Sequence, residues 1–123
     1  RVLPLNVSGP FHSGLLKPAG DKLYEYLKNV EIKKPTIPYV ANYTAEFVYD
    51  DKDIKELLRK QVFGSVRFEQ SIRNMLKEGV DTFIEIGPGK VLGGFVKKID
   101  KEAKVYSIET VEDMNNVIKE LGL

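Results

Sequence analysis

Apolar residues follow two different spacings along this chain, and together these spacings predict strands and helices in alternation. Short runs of consecutive apolar residues are typical of buried strands, and they lie at Val2–Val7, Thr82–Ile86 and Lys104–Ile108. Apolar residues three and four positions apart predict helices with one buried face, and such segments follow Pro18, Asp53, Ser65, Gly89 and Thr110. Two further short extended stretches, the second a small extra strand or hairpin arm, are predicted at Thr36–Ala41 and Glu46–Tyr49.

Residues that begin and end helices stand where the apolar pattern places the helix boundaries. Asp53 and Ser65 each precede a helical segment and are predicted to be N-caps. Gly79 suits the left-handed position that follows a helix. Thr110 with Asp113 is a variant of the capping box, with Asp in place of Glu. These signals predict the boundaries of the second, third and fifth helices.

The order of the elements predicts the fold class. Strands that alternate with helices imply βαβ units, so we expect an α/β fold with a mostly parallel sheet, and residues 1–123 are interpreted as a single unit. Ligands of such sheets bind at the carboxyl ends of the strands. His12 follows the strand Val2–Val7 and Gly87 follows Thr82–Ile86, so these two residues could share one cleft.

Composition and charge narrow the class of protein further. The chain has 123 residues, of which 42% are hydrophobic and 30% charged, a balance typical of a globular domain rather than a disordered segment. The 19 Lys and Arg residues nearly cancel the 18 Asp and Glu residues, and both signs are spread along the helices. This pattern lacks the basic excess of a nucleic-acid binder. No apolar run approaches the length of a membrane span, so we expect neither nucleic acid nor membrane as a partner.

The residues that hold zinc or form disulfides are almost absent. The chain contains no cysteine and a single histidine, His12. Cysteine is therefore excluded as a nucleophile within these residues, and a zinc site is disfavoured because zinc usually takes several Cys or His ligands. Nothing in the sequence points to a carboxylate-held magnesium ion. The lack of cysteine fits a reducing compartment.

The sequence begins abruptly. A predicted strand starts immediately after Arg1, and the stretch lacks the charged start and long apolar centre of a signal peptide. We therefore interpret the chain as the C-terminal part of a longer protein. Alone, such a piece would expose sheet edges and apolar helix faces, so we expect it to be poorly stable or to associate.

His12 is the first candidate for chemistry. Histidine is the side chain whose ordinary titration lies near neutral pH, which suits a general base. His12 stands on a turn of small and rigid residues, 8–13, that would fix its backbone at the end of a strand. The alternative is an ordinary surface or core histidine. A base also needs a nucleophile, but no G-x-S-x-G elbow exists in the chain, and adjacency alone does not make Ser13 the partner of His12.

The turn Gly87-Pro88-Gly89 is the second candidate. A strand, a glycine-rich turn and a helix can together cradle phosphate, and Lys90 could assist. The glycine spacing, however, matches neither the dinucleotide fingerprint nor the P-loop. The alternative is a tight turn in which glycine lets two backbones approach closely. A non-catalytic binding or structural module built on this turn is therefore one hypothesis for function.

Gln61 is the third candidate, because a carbonyl near the end of a helix is often free of intrahelical partners. Such an oxygen can accept a hydrogen bond from another part of the chain. The side chain of Gln61 is expected to face solvent.

Three motifs stand in order along the chain: Val7-Ser8-Gly9-Pro10-Phe11-His12-Ser13, Leu16-x-Pro18 and Glu85-x-Gly87-Pro88-Gly89-Lys90-Val91-Leu92. Together they resemble one enzyme family, the malonyl-CoA:acyl carrier protein transacylases of fatty acid synthesis, and the resemblance covers essentially the whole chain. It implies the C-terminal portion of an α/β-hydrolase-like acyltransferase subdomain. The serine of a G-H-S-x-G elbow, an arginine for the malonyl carboxylate and a ferredoxin-like subdomain would then precede residue 1.

The resemblance also implies roles for residues of this chain. His12 falls on the catalytic base, the backbone carbonyl of Gln61 on the group that orients it, and Phe11 on a position typical of malonyl-selective enzymes. The glycine turn becomes architectural. Ser65 stands where the family often has proline, which bears on the loop beside Gln61.

The implied reaction transfers malonyl from malonyl-CoA to the pantetheine thiol of acyl carrier protein through an acyl-serine intermediate. The two substrates would be the partners of the enzyme, with no metal and no cofactor, and the setting would be cytoplasmic. These 123 residues lack the nucleophile, so we expect them to be inactive without the preceding part of the enzyme.

Overall fold

A computed structural model describes residues 8–123 of the chain. The predicted strand Val2–Val7 lies outside these residues. The chain divides into two compact units, the first running up to Ser71 and the second from Ile72 to Leu123. The interpretation of the chain as a single unit stays a prediction.

Two packed helices form the centre of the first unit. A 3₁₀ turn, Gly14–Leu16, leads into α1, Lys17–Leu27, and α2 spans Ile54–Phe63. Pro18 lies in the first turn of α1, as predicted, where its missing N–H costs nothing. The N-cap residue of α2 is Asp53, as predicted, but its side chain makes no capping hydrogen bond.

The contact between α1 and α2 depends on a buried glycine and an arginine. Gly20 is buried in α1, and a Cβ atom there would lie 2.8 Å from the carbonyl oxygen of Arg59. The Arg59 side chain binds Asp21 of α1 through Nη2 at 2.6 Å and Glu56 of its own helix at 2.8 Å. The Asp21 carboxylate raises the pKa of Arg59, chiefly through the hydrogen bond that Arg59 Nε donates to Asp21 Oδ1 at 2.7 Å. Close backbone approach and a paired cation thus fix α2 against α1.

A short antiparallel hairpin lies between these helices in the sequence. Its strands are β1, Tyr39–Val40, and β2, Phe47–Val48, which confirms the extra hairpin arm. Ala45 turns the hairpin at φ 64°, a left-handed conformation that is uncommon for a residue with a Cβ atom. Ala45 is nonetheless 2% exposed, so packing holds it there.

The third helix, α3, spans Phe68–Lys77 and contains the boundary between the units. The predicted N-cap Ser65 is wrong, because the N–H of Ser71 donates to the carbonyl of Arg67 and the helix begins two residues later than predicted. Gly79 follows α3 at φ 90°, as predicted for a left-handed C-terminal residue.

The second unit is a βαβα arrangement. Strand β3, Thr82–Ile86, pairs in parallel with β4, Lys104–Ile108, and the connection between them contains α4, Val91–Ile99. The last helix, α5, spans Val111–Leu121. The parallel pairing and the crossover helix confirm the predicted α/β class. The described strands comprise this parallel pair and the antiparallel hairpin.

The predicted capping box begins α5. The Thr110 hydroxyl accepts a hydrogen bond from the N–H of Asp113 at 3.1 Å, and the Asp113 carboxylate accepts one from the N–H of Thr110 at 2.9 Å. Asp113 also accepts from the Thr110 hydroxyl and the Glu109 N–H, and these hydrogen bonds lower the pKa of Asp113, that from the Thr110 side chain most. The helix ends at Gly122 with φ 69°.

Several large apolar side chains in the described residues remain exposed. Examples are Ile37, Ile86, Leu15 and Val111. In residues 8–123, no helix is long and apolar enough to cross a membrane. Whether the chain associates when isolated stays a prediction.

Candidate active site

His12 lies on a strained turn. Its φ is 55°, in the left-handed region, where histidine is more common than most residues but still pays a conformational cost. The Ser13 hydroxyl donates to the Pro10 carbonyl at 2.7 Å and closes the turn. Ser13 is therefore committed to holding the backbone, and the sequence neighbours His12 and Ser13 do not form a nucleophile–base pair. Strained backbone of this kind is concentrated at functional sites.

The imidazole of His12 is anchored at the end of α2. Its Nδ1 lies 3.0 Å from the carbonyl oxygen of Gln61, 49 residues away, and 3.1 Å from the carbonyl oxygen of Gly64. Carbonyl oxygens only accept hydrogen bonds, so Nδ1 must carry the proton. The neutral ring then has its lone pair on Nε2. Within the described part of the chain, Nε2 has no hydrogen-bond partner, and the His12 side chain is exposed.

The contact with Gln61 matches the geometry implied by the family resemblance, while the contact with Gly64 was not foreseen. Helix geometry explains both, because the last carbonyls of α2 have no intrahelical donor and are free to accept. A glycine at the end of a helix is an ordinary signal for a turn. Nothing in the sequence distinguishes its carbonyl as a hydrogen-bond acceptor.

The side chain of Gln61 does not face solvent, contrary to expectation. Among the described residues its Nε2 is buried and has no hydrogen-bond partner. The side chain lines a cavity of about 150 Å³, together with Val40 of β1, Asn42 of the turn that follows, and Leu57 of its own helix. The carbonyl of Gln61 rather than its amide makes the contact with His12.

Phe11, the third predicted site residue, precedes His12 on the same turn. Its side chain is 61% exposed. One edge of the ring lies over Gly9, where an added Cβ atom would be 3.4 Å from Phe11 Cε2. The ring is therefore available to a ligand that approaches this turn, although its role stays a prediction.

The glycine turn of the second unit is architectural. Gly87 and Gly89 adopt φ values of 141° and 92°, which favour glycine, and the Gly87 N–H continues the sheet ladder to Ile108. The Glu85 carboxylate accepts the N–H groups of Leu92 and Gly93 at 3.1 and 2.8 Å. These are the amides at the start of α4 that a phosphate would use. A carboxylate already occupies them, so the phosphate-binding hypothesis is wrong for this turn.

Other kinds of site find little support in the described residues. No group of three or more His, Asp or Glu side chains there is arranged to hold a metal ion. A depression beside Gly87 and Pro88 is lined mainly by apolar side chains, with Glu109 its one ionisable residue. His12 stays the candidate for proton transfer that the sequence predicts.

An imidazole whose Nδ1–H is bound by backbone carbonyls and whose Nε2 is unprotonated and accessible can act as a general base. Enzymes that transfer acyl groups through a nucleophile use such a group. Comparison with known proteins points to one such group. The chain is 48% identical over 123 residues to the malonyl CoA-acyl carrier protein transacylase of Bacillus subtilis, covering 98% of this chain and 39% of that protein.

Solved structures agree with the sequence comparison. The crystal structure of malonyl CoA-acyl carrier protein transacylase from Clostridium perfringens matches 96% of this chain and 37% of its own, with a TM-score of 0.89 and 42% identity. A malonyl-transacylase in complex with a type II polyketide synthase acyl-carrier protein matches with a TM-score of 0.90 and 31% identity, covering 96% and 38% of the two chains. No protein-family profile matches the chain.

These findings confirm the resemblance seen in the sequence. The chain is homologous to a portion of the malonyl CoA-acyl carrier protein transacylases and shares their fold. It spans about two-fifths of the length of the relatives it matches.

Proposed function

We propose that this chain is the histidine-bearing portion of an enzyme that transfers malonyl from malonyl-CoA to the pantetheine thiol of acyl carrier protein. The observation that carries the proposal is the anchoring of His12 Nδ1 on the carbonyls of Gln61 and Gly64. The similarity to named malonyl transacylases supports the choice of substrates. The nucleophilic serine and the malonyl-binding arginine are supplied by a preceding part of the same enzyme.

His12 acts as general base and then as general acid. Its Nε2 takes the proton of the serine hydroxyl while the serine oxygen attacks the thioester carbonyl of malonyl-CoA. The C–S bond breaks, the coenzyme A sulfur takes the proton from Nε2, and a malonyl-serine ester remains. The pantetheine thiol then gives its proton to Nε2 and attacks the ester. The serine oxygen recovers that proton as malonyl-pantetheine leaves.

The two carbonyls serve this cycle in both of its charge states. With the ring neutral, they keep the proton on Nδ1 and so leave Nε2 as the base. When the ring is protonated, the two carbonyls lie beside the imidazolium cation. They form the C-terminal, negative end of α2, and this end of the helix stabilises the positive charge. No metal or cofactor is needed for these steps, because the thioester is an activated acyl donor.

Phe11 contributes to acyl selection in this proposal. Its exposed ring stands one residue before the base, where it would contact the acyl group of the incoming thioester. The charge of malonyl is recognised elsewhere, by the arginine of the preceding part, since Phe11 offers only apolar surface. The enzyme works in the cytoplasm with acyl carrier protein as its second substrate.

The test uses the full-length polypeptide that contains this chain. Steady-state malonyl transfer to pantetheinylated acyl carrier protein is measured for the unaltered enzyme, for His12→Gln and for the control Tyr26→Ala, which removes a 68% exposed ring from α1. His12→Gln lowers kcat about 10²- to 10⁴-fold, the usual contribution of a positioned base. Unaltered kcat in His12→Gln would overturn the role of His12. The 123-residue chain alone shows no transfer.

A further inference from the structure

Gly64 is a glycine for reasons of space rather than backbone conformation. Its φ of −92° and ψ of 157° are ordinary extended values that any residue adopts. A Cβ atom at this position, however, would overlap the ring edge of Tyr43 and lie 2.8 Å from the carbonyl oxygen of Lys60. The Tyr43 ring therefore lies directly against the Gly64 backbone, whose carbonyl is the second acceptor of His12 Nδ1.

The Tyr43 ring is held from both the hairpin and the helix. It belongs to the turn between β1 and β2. Two hydrogen bonds close this turn, one from Ala41 N–H to Glu46 O at 3.0 Å and one from Ala45 N–H to Ala41 O at 2.7 Å. On the helix side, the Lys60 ammonium lies 5.9 Å from the centre of the Tyr43 ring. This cation–π distance is favourable.

A backbone hydrogen bond ties the segment after Gly64 to the same turn. The N–H of Arg67 donates to the carbonyl of Asn42 at 2.8 Å, and the N–H of Gly64 itself donates to Lys60 O at 2.7 Å. The segment 64–67 is thus fixed at both ends, and the Tyr43 ring packs against its first residue, Gly64. The peptide unit of Gly64 has little freedom to rotate its carbonyl away from His12.

We infer that Tyr43 and Gly64 form a steric lock that positions His12. The tyrosine ring fixes the Gly64 carbonyl 3.1 Å from His12 Nδ1. The ring can pack against the Gly64 backbone because glycine has no Cβ atom. Tyr43 is a positioning residue, since it acts through Gly64 and not on substrate. The consequence for turnover rests on the proposed function, while the consequence for the His12 ring does not.

The test reads the His12 tautomer directly in the full-length protein. Histidine is labelled with ¹⁵N, and the His12 signals are identified by their loss in His12→Gln; this chain contributes no other histidine. Unaltered protein shows the Nδ1–H tautomer. Gly64→Ala and Tyr43→Ala each populate the Nε2–H tautomer and lower kcat about tenfold or more with little change in KM, since misplacement of a catalytic group by about 1 Å costs up to 10²-fold.

Matched variants separate the lock from general damage. Tyr43→Phe keeps the ring and restores both the tautomer and kcat. Gly94→Ala adds a Cβ atom where nothing lies within 4 Å, and Tyr26→Ala removes an exposed ring, so both retain the unaltered tautomer. If Gly64→Ala does not fold, Tyr43→Ala decides alone, because it only removes atoms.

The two proposals fail in different ways. An unaltered His12 tautomer in folded Tyr43→Ala would overturn the lock whatever the activity. Unaltered enzyme that transfers no malonyl would overturn the proposed function, and the tautomer shift in Tyr43→Ala would still support the lock.

Discussion

The carboxylate of Glu85 accepts the backbone N–H of Gly93 at 2.8 Å and so fastens the start of α4 to the strand β3. Lys90, the residue in the N-cap position of α4, makes no side-chain capping bond. Glu85 supplies that cap from a neighbouring element instead. Gly93 must lack a side chain for this, because its Cβ would lie 3.0 Å from Glu85 Oε2 and 2.9 Å from Val105 Cγ1.

Replacing Glu85 by Ala is expected to loosen the first turn of α4. The N–H groups of Leu92 and Gly93 lose their acceptor, at a cost of about 1 kcal/mol for a lost cap. Hydrogen exchange of these two amides, followed by mass spectrometry, becomes faster. Glu78→Ala, an exposed glutamate just after α3, is the control. Unchanged exchange in Glu85→Ala would contradict the capping role.

Two helical glycines are expected to respond to alanine in opposite directions. Gly20→Ala forces α1 away from the Arg59 carbonyl and the Phe63 ring, each 2.8 Å from the added atom, and such overpacking costs about 1–3 kcal/mol. Gly94→Ala meets nothing within 4 Å and gains about 1 kcal/mol from helix propensity. Urea unfolding measures both changes. Equal effects of the two substitutions would show that the α1–α2 approach is not tight.

The capping box of α5 makes stability depend on pH in a definite direction. Hydrogen bonds lower the pKa of Asp113 below its ordinary value of 3.8. The ionised carboxylate therefore contributes fully to stability above pH values near 3.8, and this contribution is lost as the pH falls through the lowered pKa. Asp113→Asn is therefore less stable than the unaltered protein at pH 7, and the difference shrinks between about pH 5 and pH 2. Urea unfolding of both proteins at several pH values measures this difference in the free energy of unfolding. A difference that does not vary with pH would exclude a role for the Asp113 charge.

Mutation of Gln61 is expected to distinguish the role of its side chain in stability from the role of its backbone carbonyl in orienting His12. Gln61→Met removes a buried Nε2 that lacks a partner among the described residues and raises the free energy of unfolding by about 1 kcal/mol. The carbonyl stays, so the His12 ring keeps its Nδ1–H tautomer. Thermal unfolding and the ¹⁵N spectrum report the two effects. Loss of the tautomer in Gln61→Met would mean that the amide, rather than the carbonyl, orients His12.

Local signals in the sequence predicted much of the fold. The capping box at Thr110 and the left-handed Gly79 appear as predicted, because each is determined by residues within one turn of the helix end. Ser65 is the instructive failure. It has the chemistry of an N-cap, but the hydrogen bond from Arg67 to Asn42 keeps the chain extended past it. A contact with a segment more than twenty residues away overrides a local preference.

The candidate site was predictable only in part for the same reason. His12 is conspicuous as a single histidine on a rigid turn, but the partners that hold its Nδ1 lie about fifty residues away. The contact with the Gln61 carbonyl was predicted from the family resemblance. The Gly64 carbonyl and the Tyr43 ring had no sequence signal, since their relation is one of excluded volume between a ring and a missing side chain.

The most direct test of the account is the rate at which the full-length protein becomes acylated. The protein is mixed with malonyl-CoA, quenched at successive times and weighed intact by mass spectrometry. We expect the unaltered protein to gain the mass of one malonyl group within the first turnover, and His12→Gln to gain it at least 10²-fold more slowly. Equal acylation rates for the two proteins would contradict the assignment of His12 as the base.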